Sequence, residues 1–162
     1  MLFALTSCNT VRVSTDYDRN ANFEQYQTFA FHEKGLNDLN MNDLDKRRVV
    51  DAISQNLTSK GMIQTHSENP DLVINISASN KTRVNVDPYY DPWWHGPYWG
   101  RTQRVTQYKE GTLILDIVDR QQNTLIWQGV GEGLNVSDIQ RKADKIPDAV
   151  NEILAKFPPN KK

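Results

Sequence analysis

Leu72-Val73-Ile74-Asn75-Ile76-Ser77-Ala78 alternates residue by residue between two faces, with Leu72, Ile74, Ile76 and Ala78 on one and Val73 beside polar Asn75 and Ser77 on the other. A period of two marks a strand, and a strand apolar on one side belongs to a sheet with one covered and one wet face. Asn69-Pro70-Asp71 turns the chain into it. Downstream, pairing is expected to continue through Thr82 to Val86, break over Asp87 to Gly100 and resume from Arg101 to Tyr108. Gly111 is then expected to start a hairpin, Thr112 to Val118 and Thr124 to Gly133, around a polar turn at Asp119 to Asn123. Upstream, Val11 and Val13 alternate with polar partners across Thr10 to Thr15, and Tyr26 to His32 reads as a second strand. These two are expected to lie side by side, as a hairpin or as neighbours.

Helical spacing replaces the two-residue period in two places. After a polar linker, Glu33 to Met41, Asn42 is placed to cap a helix in which Leu44, Val49, Val50, Ile53 and Leu57 form one stripe, and Gly61 supplies the left-handed residue that closes it. Met62 to Gln64 reads as a short strand. Ile139, Ile146, Ala149, Val150, Ile153, Leu154 and Phe157 predict a second helical region from Asp138 to Phe157, which Pro147 is expected to kink or split. Strands with one helix in the middle and one at the end predict an α+β fold: a two-layer sandwich, a mostly antiparallel sheet with two helices on one face. The chain reads as one domain over 9–158, with an aromatic loop at 87–100, a frayed tail at 159–162 and no internal repeat.

The 162 residues hold 38% apolar and 24% charged side chains, enough for one core. A chain of this length buries about two-thirds of its unfolded surface. Nineteen basic residues against 20 acidic ones leave a net charge of -1 with no block of like charges, which argues against a nucleic-acid partner, since that requires a basic face. The single cysteine, Cys8, excludes an intramolecular disulfide and a Cys-rich zinc site.

That cysteine follows Leu5-Thr6-Ser7. An aliphatic residue three places before a cysteine, with small residues between, looks like a bacterial lipobox, in which the sulfur receives a diacylglycerol. Two or three acyl chains hold far more firmly than one, at about 0.8 kcal/mol per buried CH₂. Leu2 to Leu5 is shorter than a full apolar leader, a departure explained by a start codon set too late. Cys8 is therefore the expected lipid-attachment residue. The domain is expected to face the periplasm from a membrane of the cell envelope, taken as the outer membrane.

One segment stands apart: Asp87-Pro88-Tyr89-Tyr90-Asp91-Pro92-Trp93-Trp94-His95-Gly96-Pro97-Tyr98-Trp99-Gly100. Its six rings, at roughly 150 to 250 Å² each, carry more apolar area than the patch of about 300 to 600 Å² that a monomer commonly exposes. Four burials come into question: the protein's own sheet, a protein partner, a sugar such as peptidoglycan stacked on the rings, or the headgroup zone of a bilayer. Tyr89, Tyr90, Trp93, Trp94, Tyr98 and Trp99 are the candidate ligand- or partner-binding residues. His95 with Asp87 and Asp91 forms too thin a set to argue a metal, and neither metal nor cofactor is expected.

Catalytic patterns are weak elsewhere. His32, His66 and His95 show neither HExxH spacing nor a nucleophile elbow nearby. Asp116 and Asp119 could pair as acid and base, yet one is expected to face solvent and the other to open the hairpin turn. Gly129-Val130-Gly131-Glu132-Gly133 lacks a third glycine at the offset a dinucleotide loop requires. Glycines at alternate strand positions bare one face, which suits close packing against a ring such as Trp127 or against a helix.

Several stretches in order resemble the bacterial lipoprotein family defined by the domain of unknown function 4136. They are Val11-Arg12-Val13 through Asp16-Tyr17-Asp18; Phe23, Tyr26 and Thr28-Phe29-Ala30-Phe31; Asn69-Pro70-Asp71-Leu72; Gly111 through Asp119 with Leu125-Ile126-Trp127-Gln128-Gly129; and Phe157-Pro158-Pro159. Members often carry a Tyr/Trp/Gly/Pro-rich insertion in the middle, as here. The resemblance implies a lipid-anchored α+β envelope domain and implies no activity, since the family has no defined catalytic or binding residues to carry over. The reading is of a non-enzymatic envelope lipoprotein, structural or assembly-related, that makes contact through its aromatic loop with an envelope protein. The alternative is a glycan- or peptidoglycan-binding module built on Trp93, Trp94 and Trp99.

Overall fold

The computed structural model describes residues 11–88, 103–137 and 141–160. Their strands are β1 (Arg12–Tyr17), β2 (Thr28–Phe31), β3 (Ile63–Gln64), β4 (Leu72–Pro88), β5 (Gln103–Asp119) and β6 (Thr124–Asn135). The helices are α1 (Glu33–Asp38), α2 (Asp43–Ser59) and α3 (Lys142–Leu154). One open sheet takes the order β1-β6-β5-β4-β2-β3. Pairing is antiparallel from β1 to β4 and parallel among β4, β2 and β3. The fold is α+β, as the alternation around Leu72 predicts.

The apolar face of β4, Leu72, Ile74 and Ile76, joins Leu113, Leu115 and Ile117 of β5 in a core closed by Val49, Ile53 and Leu57 of α2 and Ile146, Val150 and Ile153 of α3. Helix α1 packs over β4 on the opposite face, where Gly35 approaches the Asn75 side chain too closely for a Cβ. Asn42 caps the start of α2 by accepting from Asp45 N at 2.9 Å, and Gly61, at φ +90°, closes its C-terminal end.

Five expectations are corrected. Strands β1 and β2 are neither a hairpin nor neighbours: β1 borders β6, and β2 lies parallel to β4. Parallel strands need a long crossover, and the α2 segment between β2 and β4 supplies it. Gly111 starts no strand; β5 runs unbroken through it, with a register shift at Gly111/Thr112. Of the two outcomes expected at Pro147, a kink or a split, the split is excluded, since α3 is continuous from Lys142 to Leu154. The expected linker from Glu33 contains α1. Leu44 is 61% exposed and Asp45 takes its place on the buried stripe. A stripe stepping by three or four from Val49 and Ile53 lands on Asp45, and Leu44 points a full 100° away.

Asp71 ties β2 to β4 at the turn before the deciding strand. Its Oδ2 accepts from the backbone N–H groups of Gln27 (2.9 Å) and Thr28 (2.8 Å) and from Thr28 Oγ1 (2.9 Å), and its own N–H donates back to Thr28 Oγ1. Those backbone donors hold its carboxyl below the ordinary aspartate value. Asp71→Ala removes a charged acceptor from three donors and is expected to cost about 2 kcal/mol, read as a lower urea midpoint with unchanged m.

Candidate functional site

The ladder between β4 and β5 is far longer than the rest of the sheet. It runs without a gap from Leu72↔Asp119 to Pro88↔Gln103, whereas β6 leaves β5 at Glu110↔Asn135 and β2 leaves β4 at Phe31↔Ile74. Beyond Lys81↔Glu110, the seven rungs from Thr82↔Lys109 to Pro88↔Gln103 therefore form a two-stranded arm. At about 3.4 Å per residue it projects roughly 24 Å.

Three features converge at the root of this arm. β1 begins there, because Arg12 and Thr112 both pair with Glu132. Arg12 Nη2 approaches Glu110 Oε1 at 3.9 Å and Glu132 Oε2 at 3.7 Å, and Arg83 Nε donates to Glu110 Oε2 at 2.8 Å. The start of the described chain is thus linked to the arm by charge. Arg12 and Arg83 are well exposed, with 75% and 52% of their side chains accessible, so these pairs fix orientation more than they stabilise.

Beside the root, a hollow of about 400 Å³ opens between the sheet and the first turns of α2 and α3. Leu39, Met41, Val49, Leu113, Leu134 and Ile146 wall it, with Lys109 and Lys142 among its lining residues. Asp45 lies in its wall, 5% exposed. Its carboxylate accepts from Lys142 Nζ (2.9 Å), Arg48 Nη1 (2.6 Å) and Asn42 Nδ2 (2.7 Å). Burial opposes ionisation there, but these donors outweigh it and hold the carboxyl below the ordinary aspartate value.

The weak catalytic candidates separate. Asp116 accepts from Gln128 Nε2 at 2.7 Å, while buried Asp119 accepts from Tyr26 Oη (2.7 Å) and from the Gln122 N–H (2.9 Å) of the turn it opens. Burial and that bond to Asp119 raise the Tyr26 hydroxyl above its ordinary value. His32 and His66, separate in the sequence, line one open hollow of about 900 Å³ on the far face of the sheet. His32 Nδ1 is engaged as the cap of α1, accepting from Gly35 N at 3.2 Å. Among the described residues no cluster of His, Cys, Asp and Glu suits a metal, and no helix is long and apolar enough to cross a membrane. Gly129 packs against the Trp127 ring and Ile153 of α3, and Gly131 against Ile153: the ring and the helix expected of that motif.

Cys8, and with it the lipobox, lies outside the described residues, as do Tyr89, Tyr90, Trp93, Trp94, Tyr98 and Trp99. The ladder nevertheless fixes where the aromatic segment begins and ends, since Pro88 and Gln103 are paired at the far end of the arm. The long hairpin itself was missed from sequence, because Thr82 to Val86 and Arg101 to Tyr108 read as pieces of a sheet, not as an arm leaving it.

Comparison with known proteins places these features in context. The model of the family described as "Domain of unknown function (DUF4136)" matches residues 13–159. No curated protein sequence matches. Among solved structures, a PDZ domain protein from Parabacteroides distasonis superposes with a TM-score of 0.59 at 15% identity, over 93% of this chain and 36% of its own. The chain thus spans about a third of that protein. The PelC dodecamer from Paraburkholderia phytofirmans gives a TM-score of 0.52 at 9% identity, over 90% of this chain and 95% of its own. Likeness at this identity is likeness of fold.

Proposed function

The chain belongs to the DUF4136 family, and from that premise we propose that it is a non-enzymatic cell-envelope lipoprotein, acylated at Cys8, with a structural or assembly role exercised through the aromatic segment between β4 and β5. The domain faces the periplasm from the membrane that holds the acyl chains. The observation that carries this reading is the arm. Seventeen unbroken rungs hold the ends of segment 89–102 together, about 24 Å beyond the last rung that β6 joins. A segment whose two ends stand so far from the α2–α3 layer is suited to contact outside the domain, and an anchored protein meets envelope components first. A glycan remains the competing ligand, since the same rings could stack on sugars.

Metabolic labelling with a clickable palmitate in the full reading frame is expected to mark the wild type and to fail with Cys8→Ala. Pull-down from detergent-solubilised envelopes is expected to recover an envelope partner that disappears when Trp93, Trp94 and Trp99 are all changed to Ala, with the thermal midpoint unchanged. Unlabelled protein in the cytosol would overturn the anchor. An unchanged pull-down, or a triple variant several degrees less stable, would overturn the contact role. A tryptophan fluorescence shift with peptidoglycan fragments would move the assignment to the glycan.

A further inference from the structure

Among the described residues β1 is the last strand at one end of the sheet, so one side of its backbone faces no other strand. Which groups face that side follows from the ladder. Asp18 N donates to Ile126 O at 2.9 Å in the register that sets Arg12 opposite Glu132 and Tyr17 opposite Trp127, so the even-numbered residues exchange hydrogen bonds with β6. Val13, Thr15 and Tyr17 therefore turn their N–H and C=O groups outward. The Tyr17 N–H agrees with this phase, since it donates to Asp16 Oδ1 at 2.9 Å and not to β6. Ser14, Thr15 and Asp16 are all exposed, which leaves the middle of this edge open to another strand.

The edge is self-complementary in sequence. Arg12-Val13-Ser14-Thr15-Asp16 carries a cation at one end, an anion at the other and a β-branched residue on either side of Ser14. Turned about a two-fold axis through Ser14, a second copy sets its Asp16 opposite Arg12 and its Thr15 opposite Val13. Val13 and Thr15, whose backbone groups face outward, then become the hydrogen-bonded rungs. Arg12 and Asp16 fall on the rungs between, where opposed side chains approach most closely. A register two residues earlier sets Arg12 opposite Ser14, and one two residues later needs the Tyr17 N–H that Asp16 already holds. Within one chain the two charges stand about 14 Å apart and cannot meet. Arg12 is 75% exposed and reaches Glu110 and Glu132 only at 3.9 and 3.7 Å, so most of its five N–H donors are uncommitted. Asp16 Oδ2 has no partner among the described residues.

We propose that β1 is the interface between two copies of this chain, paired antiparallel about a two-fold axis through Ser14. The two sheets run on as one, and both helix layers lie on the same side of it, because a two-fold axis normal to a sheet preserves its faces. Assembly through this edge stops at two, since the contact is isologous and uses up the edge that makes it. At the opposite end of the sheet β3 is only two residues long, too short to template a further copy. This pairing requires neither acylation of Cys8 nor the segment 89–102.

The test uses the full chain carrying Cys8→Ser, so that any cysteine introduced is the only one. Opposed Ser14 residues place their Cα atoms about 4.5 Å apart, within disulfide reach. Val13 and Thr15 meet their own counterparts only on the diagonal, at about 7–8 Å. In a glutathione redox buffer Ser14→Cys is expected to form a disulfide-linked dimer about 10-fold faster than Val13→Cys or Thr15→Cys. Adding Thr15→Pro to Ser14→Cys removes an N–H that the ladder to β6 does not use. It is expected to slow the cross-link about 10-fold and leave the thermal midpoint unchanged. Charge reversal supplies the second readout. In the Ser14→Cys background, Arg12→Glu makes both ends of the edge acidic and Asp16→Lys makes both basic. Each alone is expected to cross-link about 10-fold more slowly, and an equimolar mixture to recover the rate as a mixed dimer identified by mass. Equal rates at positions 13, 14 and 15, or a mixture no faster than its components, overturn the proposal, as does a Ser14→Cys chain that stays monomeric.

Discussion

Gly129→Ala is expected to destabilise the protein by about 3 kcal/mol, the upper end of the overpacking range, and to lower its thermal midpoint by roughly 6–12 °C. A Cβ at this position would stand 2.5 Å from Ile153 Cγ2 and closer still to the Trp127 ring. Neither neighbour can yield. Trp127 is 1% exposed and held edge-on against Phe157 at 5.4 Å between centroids, and Ile153 is wholly buried. Two positions on, the outcome differs. The nearest atom to a Cβ on Gly131 is Ile153 Cδ1 at 2.7 Å, the free end of a side chain, so Gly131→Ala is expected to cost only about 1 kcal/mol. Ile153→Val deletes Cδ1 and keeps Cγ2. It should therefore relieve Gly131→Ala and leave Gly129→Ala unrelieved, a contrast that denaturation of the two double-mutant cycles reads directly. Equal rescue of both would show that the α3–β6 contact is not the one described.

That contact was legible in the sequence because it is written as a pattern. Two glycines at alternate strand positions bare a face, and a bare face in a core must meet something large. The deciding strand at Leu72 was legible for the same reason, as were the turn at Asp119 and the capped helix after Asn42. Sheet order was not, because period and propensity are local while order is set by crossovers. Tyr26 to His32 is compatible with a hairpin to Thr10–Thr15 and with a parallel place beside Leu72. Only the helix lying between it and Leu72 favours the second.

The candidate site shows the same division more sharply. Six aromatic residues in fourteen positions signal contact without any structure. What the segment's composition could not disclose is that the flanking strands pair to its very ends. Pairing Thr82–Pro88 with Gln103–Lys109 carries both ends of the segment out of the sheet together. Register, not composition, sets that placement. Asp45 was hidden for a related reason: an aspartate on an apolar helical stripe reads as a gap in the stripe, with Leu44 beside it to fill the gap.

Asp45→Asn is expected to cost about 3 kcal/mol, the lower end of the range for removing one partner of a buried ion pair. The side chain is 7% exposed, and those of Lys142 and Arg48 are 17% and 31% exposed, so the amide would leave two partly desolvated cations without their anion. It would also weaken the reciprocal cap in which Asn42 accepts from the Asp45 N–H and donates to its carboxylate. The pH dependence carries a definite sign. Burial pushes this carboxyl upward, but Lys142, Arg48 and Asn42 pull it below its unfolded value. The unfolded chain then binds the proton more readily than the folded one. Its contribution is complete above the unfolded aspartate value, about 3.9, and is lost as pH falls toward the folded one. Wild-type stability measured by urea should accordingly fall as pH drops below about 4, and Asp45→Asn should flatten that fall while Asp71, shifted in the same direction, preserves part of it. A slope unchanged by Asp45→Asn would mean that the folded and unfolded chains bind this proton equally, and that the salt link between the first turns of α2 and α3 adds nothing to the stability of the ionised form.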